Sequence, residues 1–458
     1  MRFTPAFSGM TATTSRTSIR ITFVGVFLLA ASATSARAQQ PEAGVDSASA
    51  ARRHYASART AVRAGDLAEA QRMLDAAMRA WPTQSAYAAS LATVAARRDD
   101  KAMLVTALNR LAVLEAGAEI LHDSAIVAVA ARNASVAAAH RRLERAVQPQ
   151  ADSHVEITLA DSTMFPEGAA LNPRNGALYV TSIRHRTIVE IDAKGRERDV
   201  LPRGRPELGA MLAVRVDADG EHLWATMVGH PYMQGYTAAD SALAALVRIR
   251  ISDGKVVGRW DFDANTKHIP GDLAVAPNGD VFISDSQSPV LYRLRPGAKQ
   301  FEPITHAYFR SLQGMAIAGG GRTMYLADYS HGLLRLDLTS GGVQLVKHAD
   351  SISTLGLDGI VLHGSSIIAV QNGSMPARIV RYELDSMGTA IRSARTIDRQ
   401  PDIADEPTNG MIVGNDFVYI ANSQWEKYDG KGNRLASRAL HPPRLLRLPL
   451  GDPTPPLW

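Results

Sequence analysis

Residues Phe165 to Asp192 read FPEGAALNPRNGALYVTSIRHRTIVEID. A carboxylate and a glycine lead into an apolar run, then a polar turn at Pro173 to Gly176. A second apolar run ends in small polar residues, and a third run alternates. The turn carries a hairpin signal, and the alternation is that of half-buried strands. The stretch predicts one four-stranded sheet lacking its last strand.

The pattern returns five more times. A weak copy runs from Met211 to Thr226, and a clear one from Gly271 to Ser286. The fourth, Gln313 to Asp328, continues into Leu333 to Leu338. The fifth covers Asp358 to Asn372, and the sixth covers Asn409 to Asn422 with Arg444 to Leu450. Repeats of roughly 40–60 residues, each with two or three strand-like runs, are the signature of propeller blades. The expected fold is mainly β, a six-bladed β-propeller over residues 151–458, preceded by a small α-helical domain over residues 47–147. The run Val155 to Leu159 precedes the first blade. It is placed to supply the outer strand of blade six and close the ring.

Composition narrows the chemistry. At 458 residues with 46% hydrophobic and 21% charged content, the chain can bury a large core unaided. It has no cysteine, which removes disulfides, thiolate metal sites and cysteine nucleophiles. A net charge of +5 spread over this length gives no reason to expect nucleic acid.

Residues 1–38 read as a secretory signal peptide. Arg2, Arg16 and Arg20 precede the apolar run Ile21 to Ala31, and Ala36-Arg37-Ala38 supplies an A-x-A cleavage site. The apolar run is too short for a comfortable membrane span. The expectation is an exported protein, periplasmic or extracellular, with no membrane span after cleavage.

The following hundred residues are alanine-rich and helical in period. His54 to Pro82 resembles a tetratricopeptide repeat, with small residues at Ala58, Ala70 and Ala77 and a turn at Gly65-Asp66. A degraded second copy has Asp99-Asp100 where the first has Gly-Asp. Such helices offer a surface for a protein partner, or serve as a spacer on the propeller.

Two sets of residues are candidates for chemistry. Just before the first strand of successive blades come Glu167, Gly271-Asp272, Gln313, Asp358 and Asn409. Oxygen-bearing side chains aimed at one axis suit a hard divalent cation. Without one they would repel or retain protons, or simply bind channel water. After the second strands come Arg184-His185-Arg186, His230 and Tyr329-Ser330-His331. These histidines are candidates for substrate contact or acid–base work, and the arginines point to an acidic or polyhydroxylated ligand. Blade two carries a long insertion, Gly229 to Ala244, placed to cover the channel mouth. No GxSxG elbow, HExxH, phosphate loop or dinucleotide fingerprint occurs.

FPEG at Phe165, LQGMAIAGGGRTMYLADY at Leu312, LDGIVL at Leu357 and PTNGMIV at Pro407 together resemble the senescence-marker/gluconolactonase family of six-bladed propellers. The resemblance implies one divalent cation held by Glu167, Gln313 and Asp358. Gln313 stands where the family has asparagine, offering the same carbonyl on a longer arm. Calcium is the first expectation, with magnesium, manganese or zinc as others. The implied activity is hydrolysis of a small-molecule lactone or related ester, with Asp358 or Asp272 taking the proton. Asn409, Arg184, His185, His230 and His331 would orient the substrate. A different class stays open: a non-enzymatic propeller that binds a ligand or protein, with the helices as an interaction module. A lyase using the loop histidines is a third.

Overall fold

The computed structural model describes residues 43–400 and 402–453. The expected leader over residues 1–38 lies outside them. Among the described residues no helix is long and apolar enough to cross a membrane.

Six four-stranded antiparallel sheets follow one another around a ring. Blade one is built from Ala169–Leu171, Leu178–Ser182, Thr187–Ile191 and Glu197–Asp199. Blades two to five repeat this order from inner to outer strand. Their inner strands are Ala210–Val216, Pro270–Val275, Leu312–Ala318 and Ile360–His363. Blade six takes Gly410–Val413, Asp416–Ile420 and Arg444–Pro449 from the end of the chain. Its outer strand is His154–Thr158, paired antiparallel with Arg444–Pro449. The ring therefore closes by the predicted exchange between its two ends.

Each inner strand packs on the inner strands of both neighbouring blades. The core lies between blades, filled by second- and third-strand rings such as Tyr179, Phe282, Tyr325, Tyr382 and Tyr419, all essentially buried. Alternation puts these rings on one face of each pleated strand.

The polar-residue-plus-glycine motif has a packing cause. Gly314 N–H donates to Asp358 O, and Gly359 N–H to Thr408 O, both at 3.1 Å across to the next blade. A Cβ at Gly314 would lie 2.4 Å from Asp358 O, and one at Gly359 2.8 Å from Thr408 O. At Gly168 it would lie 2.5 Å from Leu212 O. Only glycine lets the inner strands approach this closely. The ladders also slip at this level: register shifts fall between Pro270 and Asp272, and between Leu312 and Met315. Bulges of this kind re-aim side chains.

Among the described residues six α-helices precede the propeller: α1 Ala43–Ala64, α2 Leu67–Ala80, α3 Ser85–Arg97, α4 Lys101–Leu114, α5 Ser124–Arg132 and α6 Ala134–Ala146. They share a cluster built from Leu74, Leu91, Leu104, Leu108, Leu111 and many alanines. The turn into α2 has Gly65 at φ +78°, and Asp66 caps the helix by accepting from Glu69 N–H at 2.9 Å. The turn into α4 repeats this with Asp99 at φ +55° and Asp100 accepting from Met103 N–H. Aspartate is among the few residues that tolerate the left-handed turn. The Asp-Asp pair thus does the work of Gly-Asp.

The helices are fastened to blades four and five. Gly117 and Ala118 donate their N–H groups to Met375 O at 2.8 and 3.0 Å. Glu115 meets Arg378 at 3.3 Å, Thr396 Oγ1 at 2.6 Å, and Arg399. Both arginines are buried. His331 accepts from Arg52 of α1 at 2.9 Å and stacks on Trp81.

Candidate functional site at the channel mouth

The loops entering the inner strands and those after the second strands surround one pocket. Glu167, Gln313, Asp358, Asn372, Glu406 and Trp425 are among its walls. It encloses about 780 Å³, its open mouth included.

Local sequence explains how these side chains are held. Thr181, near the end of the second strand of blade one, accepts from Gly168 N–H at 2.8 Å and donates to Leu212 O at 2.8 Å. This fixes the backbone beside Glu167. The indole N–H of Trp425 then donates to Glu167 Oε2 at 2.8 Å. Asn372 donates to Asp358 Oδ2 at 2.6 Å and to Pro407 O at 2.9 Å, and its own oxygen accepts from Tyr329 at 3.2 Å. Gln313 donates to Ser311 Oγ at 3.3 Å, while its carbonyl oxygen lies on the Gly271 side.

Among the described residues, no lysine, arginine or histidine forms an ion pair with Glu167 or Asp358. Burial, then the charge of Asp358, pushes the Glu167 carboxyl up to about 8; the Trp425 donor works in the opposite direction. Burial, with Asp272 adding to it, pushes Asp358 up to about 6, opposed by the Asn372 hydrogen bond. Two half-buried carboxylates that lack a basic partner and face one cavity fit a divalent ion. With Gln313 the donor set is all oxygen, which fits calcium or magnesium better than zinc. No group of three or more histidine, aspartate or glutamate side chains among the described residues is arranged as a metal cluster.

Asp272 and Asn409 form a second polar layer behind the pocket wall, both buried. Arg215 lies 2.9 Å from Asp272 Oδ1, Met315 N–H donates to Oδ2 at 3.1 Å, and Asn409 reaches Oδ1 at 3.4 Å. Burial raises Asp272, and the Arg215 charge works against it. This carboxylate already has its counter-ion.

The histidines do not converge. His185 bonds Asp161 at 3.1 Å and Thr163 at 3.0 Å, outside the pocket lining. His331 has its Nδ1 2.5 Å from Tyr308 O and its Nε2 on Arg52, covered by the helices. His230 is nearest, packed edge-on against Trp425 with ring centroids 5.4 Å apart; burial lowers it to about 4, so the ring is neutral. Arg184 donates to Tyr232 O at 3.3 Å and stands over the Tyr428 ring. The blade-two insertion places Tyr232 against Phe165 and Trp425, forming an aromatic wall.

Glu406, with Asp405 and Glu426, is a lining carboxylate that sequence reasoning missed. It lies in the loop entering blade six, three residues before Asn409. The available signal was a carboxylate next to proline in an entering loop, Glu406-Pro407, three residues ahead of the position that Glu167 holds in blade one.

No protein-family model matches the chain. No curated protein sequence matches it either. Solved structures of similar chain path include the PQQ-bound aldose sugar dehydrogenase of Streptomyces coelicolor, at 15% identity and TM-score 0.44, covering 66% of this chain and 99% of that one. A gluconolactonase from Xanthomonas campestris shows 14% identity and TM-score 0.42, covering 65% and 88%. Virginiamycin B lyase from Staphylococcus aureus shows 12% identity and TM-score 0.41, covering 57% and 94%. These likenesses concern the chain path alone, and a shared path does not fix a function.

Proposed function

We propose that this chain is an exported hydrolase that opens a lactone or related ester with the help of a divalent cation. The observation that carries the reading is the pair Glu167 and Asp358: two half-buried carboxylates, one pocket, no basic partner among the described residues. Glu167, Asp358 and the Gln313 carbonyl would hold the ion. When bound, such an ion polarises a carbonyl and acidifies water.

The chain's own residues supply the rest. Asn372 fixes one oxygen of Asp358 and leaves the other for a water proton. The water oxygen bonds to the acyl carbon, the ring C–O bond breaks, and Asp358 returns the proton to the departing oxygen. Trp425 holds Glu167 and closes one side of the cavity, so water is partly excluded around the reacting bond. Asp272, already paired with Arg215, acts in this reading as a positioning group beneath Asp358.

The test is metal content after purification without chelator, followed by a screen of lactones and aryl esters with and without metal. Turnover that tracks metal occupancy supports the hydrolase. Saturable metal binding with no turnover on any ester moves the weight to a binding protein.

A further inference from the structure

Among the described residues the pocket lining carries five carboxylates, Glu167, Asp358, Asp405, Glu406 and Glu426, and no lysine, arginine or histidine. Asp405 and Glu426 have cations beside them, Lys427 at 3.0 Å and Arg438 at 3.4 Å. Glu167 and Asp358 are the pair assigned to the divalent ion. Glu406 remains. Its Oε2 accepts the N–H of Glu426 at 3.2 Å, and among the described residues no basic side chain pairs with it. That N–H belongs to the residue following Trp425, whose ring also lines the pocket and packs on Tyr232 at 5.3 Å.

A carboxylate without a counter-ion beside an aromatic ring is the usual chemistry for an organic cation. We infer that the pocket takes a substrate bearing an ammonium group, paired with Glu406 and covered by the ring of Trp425. The inference rests on the hydrolase reading and adds the charge of its substrate. It also reverses the expectation drawn from Arg184 and Arg186. Arg184 is bonded to Tyr232 O and Arg186 to Gly204 O, so neither guanidinium lines the pocket. An acidic ligand would meet no basic side chain of the pocket lining.

Burial, with the charge of Glu426, pushes Glu406 up to about 7. An ammonium pairs with the ionised form, so its binding strengthens as pH rises through 7. The other titratable groups facing Glu406 are Asp405 and Glu426, both held by cations of their own, Glu167, assigned to the divalent ion, and the Tyr232 hydroxyl.

The experiment uses the full chain with calcium and three γ-butyrolactones carrying a trimethylammonium group, a hydrogen or a carboxylate. The trimethylammonium lactone should show a KM about tenfold below that of the neutral one, and the carboxylate no turnover. Glu406→Gln should collapse the ratio between cationic and neutral lactones. Equal KM values, or preference for the carboxylate, in an active wild type overturn the inference and leave the hydrolase standing. If no lactone or ester is turned over, the hydrolase reading fails, and calorimetry with the corresponding lactams decides the ligand charge separately. Binding of the trimethylammonium lactam, stronger at pH 8 than at pH 6, keeps the inference; binding blind to charge overturns it.

Discussion

The indole N–H of Trp425 meets Glu167 Oε2 at 2.8 Å, and nothing basic meets Glu167 at all among the described residues. A neutral donor steadies the ionised carboxylate without cancelling its charge. The acid that results is easily protonated and well suited to a cation.

The first prediction follows from that titration. The folded-state values of Glu167 and Asp358 lie above their unfolded ones, at about 8 and about 6. Their contribution to the stability of the metal-free chain is therefore fully present below about pH 4 and is lost as pH rises through 6 and 8. A cation that binds the native ring should offset this loss, so the rise in Tm on adding calcium should grow between pH 5 and pH 8. Asp358→Asn should weaken the rise and Asp358→Ala should remove it. A Tm indifferent to calcium, magnesium, manganese and zinc at pH 8 would rule out the shared cation.

Arg215 and Asp272 should behave as a buried ion pair. Arg215→Met leaves a carboxylate that is essentially inaccessible without its cation, and the cost should be about 3–5 kcal/mol. Asp272→Asn should cost less, because the Arg215 side chain keeps partial access to water. Chemical denaturation of both variants checks the order. The Arg215→Met deficit should be larger at pH 8 than at pH 4, since only the ionised carboxylate misses its partner. An equal cost for the two variants would refute this.

Glu115 should matter to the propeller although it belongs to the helical layer. Glu115→Gln withdraws a charge from two buried guanidinium groups, Arg378 and Arg399. Glu115 itself is partly exposed, so about 1–3 kcal/mol is expected. A chain starting near residue 151 should keep β-type circular dichroism and melt below the full-length protein. A truncated chain that melts at the same temperature would show that the fastening contributes little.

The mature chain should begin near Gln39. N-terminal sequencing of exported protein checks this, and a product retaining Ile21 to Ala31 would contradict the cleavage site read from Ala36-Arg37-Ala38.

Much of the ring was legible because its signal is local. The X-Gly motif marked where the inner strands begin, and it aligned Glu167, Gln313 and Asp358 around one pocket. The residues after the second strands were harder to read. Asp285 accepts N–H groups from Ile269, Gln287 and Ser288, and Asp328 accepts from Arg310, Ser311, Ser330 and His331. A carboxylate that ties two loops and one that binds a ligand look the same in a repeat alignment. The place of His331 depends on Arg52, 279 residues away, and no periodicity reports that distance. Glu406 stood outside the repeat register by three residues, so alignment passed over it.

The exchange that closes the ring also sets the order of assembly. His154–Thr158 pairs with Arg444–Pro449, and Arg447 reaches Glu156 across 291 residues of chain. The first strand to leave the ribosome must therefore wait, edge bare, until nearly the last has been made. Residues 43–150 end at this waiting strand, where Gln150 bonds Arg399 and Ser153 bonds Asp398. Folded early, the helices would dangle on an unfinished clasp, and a stalled or shortened chain would present one long-lived open edge to its neighbours.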